Sequence, residues 1–343
     1  GPVAPTAACP APDPQARRLS PPERKQARTQ LEKRYRTWFC KPPKVNTCGK
    51  AAQPSTVWRA LAQPLALASC CPQLSRLMTS HPAETLLIEG ADAKAFAHAQ
   101  FSSKVDALAI GQWQFSAWLD PQGRVRFLFH LARIAEDTLL LLLRGGHASA
   151  MTDALRRFVF RSKITLTALP PRALAIGPAL PMHVISHDAE ELSLGCDTHS
   201  LRIVEADHGD DAWRAPQLHA GWPWLPAQAL DDMLPAALSL QRLQAVAVDK
   251  GCYPGQEIIA RLHFRGGHKR HLHHVTLSHP ASTGDVVRSG DRDIARVLDV
   301  IVADDRIDAL VVMTDEVAAL AYEDRLPSLD KGLSMRIVMS WTA

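Results

Sequence analysis

The residues Lys250-Gly251-Cys252-Tyr253-Pro254-Gly255-Gln256-Glu257, continuing to Arg261, place a cation, a thiol, two glycines and an amide-carboxylate pair in one short stretch. A cysteine acts as nucleophile or ligand only as its thiolate, and a lysine or helix N-terminus nearby lowers its pKa from about 8.5. Lys250 stands two residues before Cys252, and residues 256–262 read as a short helix with Glu257 in its first turn. Pro254-Gly255 supplies the turn into that helix, and Gly266-Gly267 the stop. The chemistry this spacing offers is that of an activated thiol; its alternative is a structural turn around a buried, inert cysteine.

The elements that must position this loop read as mixed α and β. Residues 84–88 form a short apolar strand, followed through Gly90 by a helix over 92–99 for which Asp92 is the predicted cap. Residues 113–119 alternate as a strand, Asp120-Pro121-Gln122-Gly123 turns it, and 125–130 return as a hairpin. The aliphatic run 139–143 reads as a buried strand, 150–158 as a helix and 164–168 as a further strand. Hairpins in place of repeated βαβ units favour an α+β class, and no G-x-G-x-x-G or P-loop occurs. Beyond Lys269-Arg270, five short strands (271–277, 286–288, 294–302, 308–313 and 334–339) predict a small antiparallel barrel or sandwich with almost no helix.

Composition bounds the function. A chain of 343 residues, 46% hydrophobic and 22% charged, has the make-up of an ordinary folded protein of two or three subdomains. Its longest aliphatic run is far shorter than the roughly 20 residues a membrane span needs, and no secretory signal pattern opens the chain. The formal net charge is +4, yet residues 1–56 alone carry +8, so the rest of the chain is net acidic. That Pro-rich basic leader, taken as residues 1–77, reads as a largely disordered tail, with a charged helical candidate at 22–41; nucleic-acid contact and organelle targeting are the competing readings. Seven cysteines without C-x-x-C spacing argue against a permanently held iron–sulfur cluster and for free thiols in a reducing cytoplasm. His263, His268, His271, His273, His274 and His279 cluster in sequence, but strand alternation separates His271 and His273 from His274, and no permanently bound metal is expected.

The K-G-C-Y-P-G-Q-E stretch resembles the K-G-C-Y/F-x-G-Q-E signature of the YgfZ-type folate-binding proteins, relatives of the glycine-cleavage T-protein. Leu86-Leu87-Ile88-Glu89-Gly90-Ala91-Asp92, Asp120-Pro121-Gln122-Gly123-Arg124-Val125, Arg161-Ser162-Lys163-Ile164, Ala220-Gly221-Trp222-Pro223 and Phe264-Arg265-Gly266-Gly267-His268-Lys269-Arg270 follow that family's order and spacing. The resemblance covers about residues 78–343. It implies a T-protein-like folate-binding fold over 78–267 that ends in the Cys252 loop and helix, then a C-terminal antiparallel β-barrel over 268–343. It also implies a tetrahydrofolate-type ligand in a central channel, with Trp213 standing where the family places an aromatic contact.

Three positions depart from the family pattern. His219 replaces a glutamate that binds the pterin, a second aromatic position falls on Ala83, and Lys104 stands where T-protein aminomethyltransferases have their catalytic aspartate, with Asp106 two residues on. A lysine cannot stand in for the carboxylate that positions and polarises reacting groups, so aminomethyl transfer is not expected. What the resemblance implies is a cytoplasmic, folate-binding accessory protein for iron–sulfur cluster assembly or repair in client enzymes, including those of tRNA modification. A mitochondrial matrix location would follow if the leader targets. Lys250, Gly251, Cys252, Tyr253, Gly255, Gln256, Glu257 and Arg261 form its functional motif, and Trp213 and His219 its folate contacts. The rivals are a folate-dependent one-carbon transferase or demethylase, and an RNA-binding module. Against the last, aromatic residues are not interleaved with the basic ones.

Overall fold

The five-residue strand β1 (Thr85–Glu89) is buried along almost its whole length and pairs antiparallel with β4 (Thr138–Leu143) on one side and β5 (Thr165–Ala168) on the other. The structure, a computed structural model, describes residues 81–187, 191–303, 306–323, 325–326 and 328–341. The leader expected over residues 1–77, with its helical candidate, lies outside the described residues. β2 (Gln112–Leu119) and β3 (Val125–Ala135) complete the first sheet in the order β2-β3-β4-β1-β5.

Both faces of β4 are covered, which is why its sequence is a plain leucine run instead of an alternation. Leu139, Leu141 and Leu143 join Leu86, Ile88, Phe129 and Leu131 in a core against α1 (Ala93–Gln100) and α2 (Ala148–Arg156). The side chains of the opposite pleat, among them Phe115 and His130, face the interior cluster described below. The predicted hairpin forms as expected: the Asp120 carbonyl accepts from Gly123 N–H (2.9 Å), and the Asp120 carboxylate accepts from Arg124 N–H (2.8 Å). Asp92 sits at the N-cap of α1 but does not cap it. Its carboxylate accepts the backbone N–H of Lys163 (2.7 Å), so its bond ties the start of β5 to the helix end.

A second antiparallel sheet, in the order β6-β9-β8-β7, has no counterpart in the sequence-based expectation. It comprises β6 (Ala173–Gly177), β7 (Ile185–His187), β8 (Leu192–Gly195) and β9 (Ser200–Val204), strands of three to five residues that carry little alternation. Two short helices follow in chain order, α3 (Arg214–His219) and α4 (Gln256–Arg265).

The five C-terminal strands appear where the sequence places them: β10 (Arg270–Leu277), β11 (Val286–Ser289), β12 (Arg292–Ala303), β13 (Arg306–Thr314) and β14 (Met335–Trp341). They do not close into the expected barrel. Their order, β11-β12-β13-β10-β14, is that of an open sheet, whose four-residue edge strand β11 pairs only with β12 among the described strands. A helix that strand periodicity does not predict, α5 (Asp315–Tyr322), begins after β13 and caps itself conventionally, with the Thr314 side chain accepting the Val317 N–H (3.3 Å).

Candidate functional site

The Cys252 loop is tied to the C-terminal end of α1 chiefly by the Lys250 side chain. Lys250 Nζ donates to the carbonyls of His98 (2.6 Å), Phe101 (2.5 Å) and Ser103 (2.8 Å). Carbonyls at a helix C-terminus lack intrahelical partners and carry the negative end of the helix dipole, so an ammonium there satisfies acceptors and charge together. Burial holds the Lys250 pKa down to about 8, with Asp106 acting in the opposite sense. All three donors of Lys250 are thus committed to carbonyls, and its first role is to anchor the loop.

The other motif residues complete the anchor. Tyr253 is buried, donates its hydroxyl to the Ala247 carbonyl (2.8 Å) and has its pKa pushed up to about 12 by burial. Gln256 reaches back from the first turn of α4 to the Lys250 carbonyl (2.9 Å), closing the loop on itself. Gly255 adopts φ +78° at the N-cap of α4, and a Cβ there would meet the Asp120 carbonyl at 2.5 Å and Gly123 Cα at 2.7 Å. The loop therefore rests on the tip of the Asp120-Pro121-Gln122-Gly123 hairpin, and only glycine allows that approach. Gly251, by contrast, faces open space: a Cβ there would meet no atom within 4 Å. Glu257 and Arg261 are exposed on α4.

Cys252 is the exposed, free thiol on this anchored loop. The other described cysteine, Cys196, is buried, and burial pushes its thiol up to about 12. Of the two, Cys252 alone has the access that thiol chemistry needs.

A separate cluster lies in the interior. Arg144, 1% exposed, follows β4 and donates from Nε to the Pro223 carbonyl (2.8 Å), from Nη2 to the Trp222 carbonyl (2.9 Å) and from Nη1 to Gln217 Oε1 (2.7 Å). Nη1 also lies 2.9 Å from His130 Nε2, which must accept, leaving the proton of a neutral imidazole on Nδ1. Burial, reinforced by Arg144, holds His130 well below its ordinary range and keeps it neutral. The guanidinium stands 5.0 Å over the Trp224 ring, and Trp224 packs 5.2 Å from Trp213. Here the Ala220-Gly221-Trp222-Pro223 segment shows its use: two of its carbonyls hold the buried cation.

Trp213 is 1% exposed, and its indole N–H has no hydrogen-bond partner among the described residues; the same is true of Gln217 Nε2 and His130 Nδ1. Buried N–H groups are nearly always paired, so three in one cluster call for a physical reason. His219 lies six residues beyond Trp213, about 9 Å along the helix and about 120° round it. Its imidazole is half exposed and faces the C-terminal sheet, with Nε2 3.5 Å from Asp308 Oδ2 and the ring 5.1 Å from that of His274. The two residues predicted to share a folate thus have different surroundings. Ala83 is fully buried and bridges Arg172. Sequence reasoning missed Arg144, His130, Gln217 and Trp224; an arginine directly after a leucine run was the available signal.

Comparison with known proteins agrees with the motif. No protein-family model matches the chain. An uncharacterized Haemophilus influenzae protein is 27% identical over 203 residues, covering 57% of this chain and 72% of that protein. The tRNA-modifying protein YgfZ of Escherichia coli K12 and that of Shigella boydii are each 26% identical over 229 residues, covering 57% of this chain and 70% of theirs. The chain is thus distantly similar to the YgfZ proteins. The glycine cleavage system aminomethyltransferase T of Bartonella henselae superposes with a TM-score of 0.54 at 15% identity over 76% of this chain and 82% of that one, a likeness of fold. Among the described residues no helix is long and apolar enough to cross a membrane.

The position expected to carry a transferase carboxylate is occupied by a salt bridge. Lys104 Nζ donates to Asp249 Oδ2 (2.6 Å), and that bond lowers the Asp249 pKa. Asp106 is exposed, with Oδ1 3.5 Å from His98 Nδ1. Lys104 therefore ties the residue before Lys250 to the segment that follows α1, a second, solvent-exposed fastening of the loop.

Proposed function

We propose that this protein is a folate-binding accessory protein that supports assembly or repair of iron–sulfur clusters in client enzymes, tRNA-modifying enzymes among them, in the cytoplasm. The observation that carries the reading is the Cys252 loop: an exposed thiol on a segment fastened by Lys250, Tyr253, Gly255 and Gln256. A thiol held this way can meet a cluster or a client without the loop first having to order. The cluster is cargo here, because the one exposed cysteine among the described residues cannot by itself supply the several thiolates that stable ligation needs.

Folate binding is proposed at the interior cluster. Trp213 offers an aromatic face, and the indole, Gln217 and His130 N–H groups are donors in want of acceptors, the character of a site that reads a flat heteroaromatic ring. Entry requires the side chains over Trp213 to move. The enzyme alternative, a folate-dependent one-carbon transferase or demethylase, is disfavoured by Lys104, which stands at the position expected for the transferase carboxylate and is itself paired with Asp249. The proposed division at residues 267/268 separates the folate-binding part from the C-terminal sheet.

Tetrahydrofolate titrated calorimetrically into the protein and into Trp213→Phe tests the ligand site. Saturable binding that weakens at least tenfold in the variant, with Tm unchanged, is expected. Equal affinity in both would remove Trp213 from the site, and no binding to either would separate the thiol loop from folate altogether.

A further inference from the structure

The half-exposed His219 is one corner of a triad that neither the thiol loop nor the interior cluster uses. His274 on β10 and Asp308 on β13 are diagonal neighbours on one sheet face, since Asp308 pairs with Thr276 and His274 with Leu310. His274 Nε2 lies 2.6 Å from Asp308 Oδ1, and His219 Nε2 reaches the other carboxylate oxygen at 3.5 Å from the end of α3. One donor atom from each of the three lies within 4.8 Å of the others.

We propose that His219, His274 and Asp308 form a binding site for a divalent first-row transition cation, zinc foremost. Two imidazoles and a carboxylate are a donor set zinc takes readily. Ligands about 2.1 Å from a tetrahedral ion stand about 3.4 Å apart. The 3.5 Å between His219 Nε2 and Asp308 Oδ2 matches that spacing. The 2.6 Å contact of His274 Nε2 is a hydrogen bond to the other oxygen, which must open for His274 to ligate. The arrangement also has an outer shell: Arg306 Nε donates to Asp308 Oδ1 (2.9 Å), leaving Oδ2 turned toward His219. Burial pushes the Asp308 carboxyl up, but its hydrogen bonds and pairing with His274 and Arg306 outweigh that and hold it below the ordinary range, so it is charged at neutral pH.

A purely structural cluster accounts for less. Asp308 Oδ1 is already satisfied by His274 and Arg306, and a ring left half exposed adds little packing; the second imidazole converging on the remaining oxygen completes a donor set that a divalent cation can draw together. The same exposure leaves the fourth position to water or an incoming ligand, the arrangement of an open site. The basic Arg306 beside it tempers affinity without blocking Oδ2. His263 and His268, which lie close in sequence, belong to no such group among the described residues.

This inference is independent of the folate and thiol readings, and its test uses neither. Full-length protein stripped with chelator is titrated with zinc chloride by calorimetry, and with cobalt(II) chloride by visible absorption. One equivalent is expected to bind, with the intense d–d bands of a four- or five-coordinate cobalt. Affinity should fall at least tenfold in His219→Ala and in His274→Ala, and stay unchanged in His263→Ala. If His274→Ala does not fold, His219→Ala still decides, because that ring is half exposed. Absence of stoichiometric binding, or binding unaffected by His219→Ala, would overturn the site; loss of binding only in Cys252→Ala would move the metal to the thiol loop and overturn it equally.

Discussion

Lys250 shows what a residue's neighbours decide that its sequence position does not. Two residues from a cysteine, it reads as the group that activates the thiol, yet its acceptors are carbonyls 147 to 152 residues away in the chain. The motif announces that this lysine matters, while its partners become visible only once α1 and the loop meet in space. Lys250→Met, which keeps the aliphatic stem and removes the donors, is expected to cost about 2–3 kcal/mol in urea unfolding. Lys250→Arg should not restore it, because a planar fork cannot address three carbonyls converging on a point. For the cysteines the expectation is selective alkylation: iodoacetamide on the native protein modifies Cys252 and spares Cys196, read by peptide mass spectrometry. Cys252→Ser should change stability by no more than about 0.5 kcal/mol, since the side chain is exposed.

Among the elements, the loop and the hairpin are coupled through glycine. Gly255→Ala must place a Cβ 2.5 Å from the Asp120 carbonyl in a left-handed backbone, and is expected to lose about 2 kcal/mol or more; Gly251→Ala, with open space around it, should be close to neutral. Equal melting temperatures for the two variants would contradict the docking. Both glycines belong to one sequence motif, and nothing in that motif separates the one that packs from the one that does not. Helix α5 was legible in principle, because Thr314-Asp315-Glu316 is a cap followed by first-turn acids, but the surrounding strands masked it. Thr314→Ala should cost about 1 kcal/mol. The sheet β6-β9-β8-β7 was not legible: three- to five-residue strands are stabilised by partners across the sheet, and periodicity cannot register in so few residues.

For the molecule as a whole, the α+β class and the C-terminal strands were readable because long alternating or fully apolar segments report their own burial. Closure was not readable. An open sheet and a barrel have the same strands and differ only in whether the edges meet. Another global property follows from burying neutral imidazoles. His130, held well below its ordinary range by burial, takes up a proton in the unfolded chain near pH 6.5 but resists it when folded. The unfolded state therefore binds more protons as pH falls below about 6.5, and stability drops by up to about 1.4 kcal/mol per pH unit for that group. Urea midpoints at pH 7 and pH 5 should show this loss, and His130→Gln should lessen it, the buried His273 contributing in the same sense; a loss on acidification equal in His130→Gln and in the unaltered protein would mean His130 is not kept neutral.

The central assignment, that Cys252 is the working group of the protein, is tested most directly in cells lacking their own YgfZ. Activity of an iron–sulfur tRNA-modifying enzyme is measured after supplying the full chain or Cys252→Ala, with both confirmed folded and equally abundant. Restoration by the full chain and none by the variant is the expected result; full restoration by Cys252→Ala would contradict it and leave the loop a structural fastening.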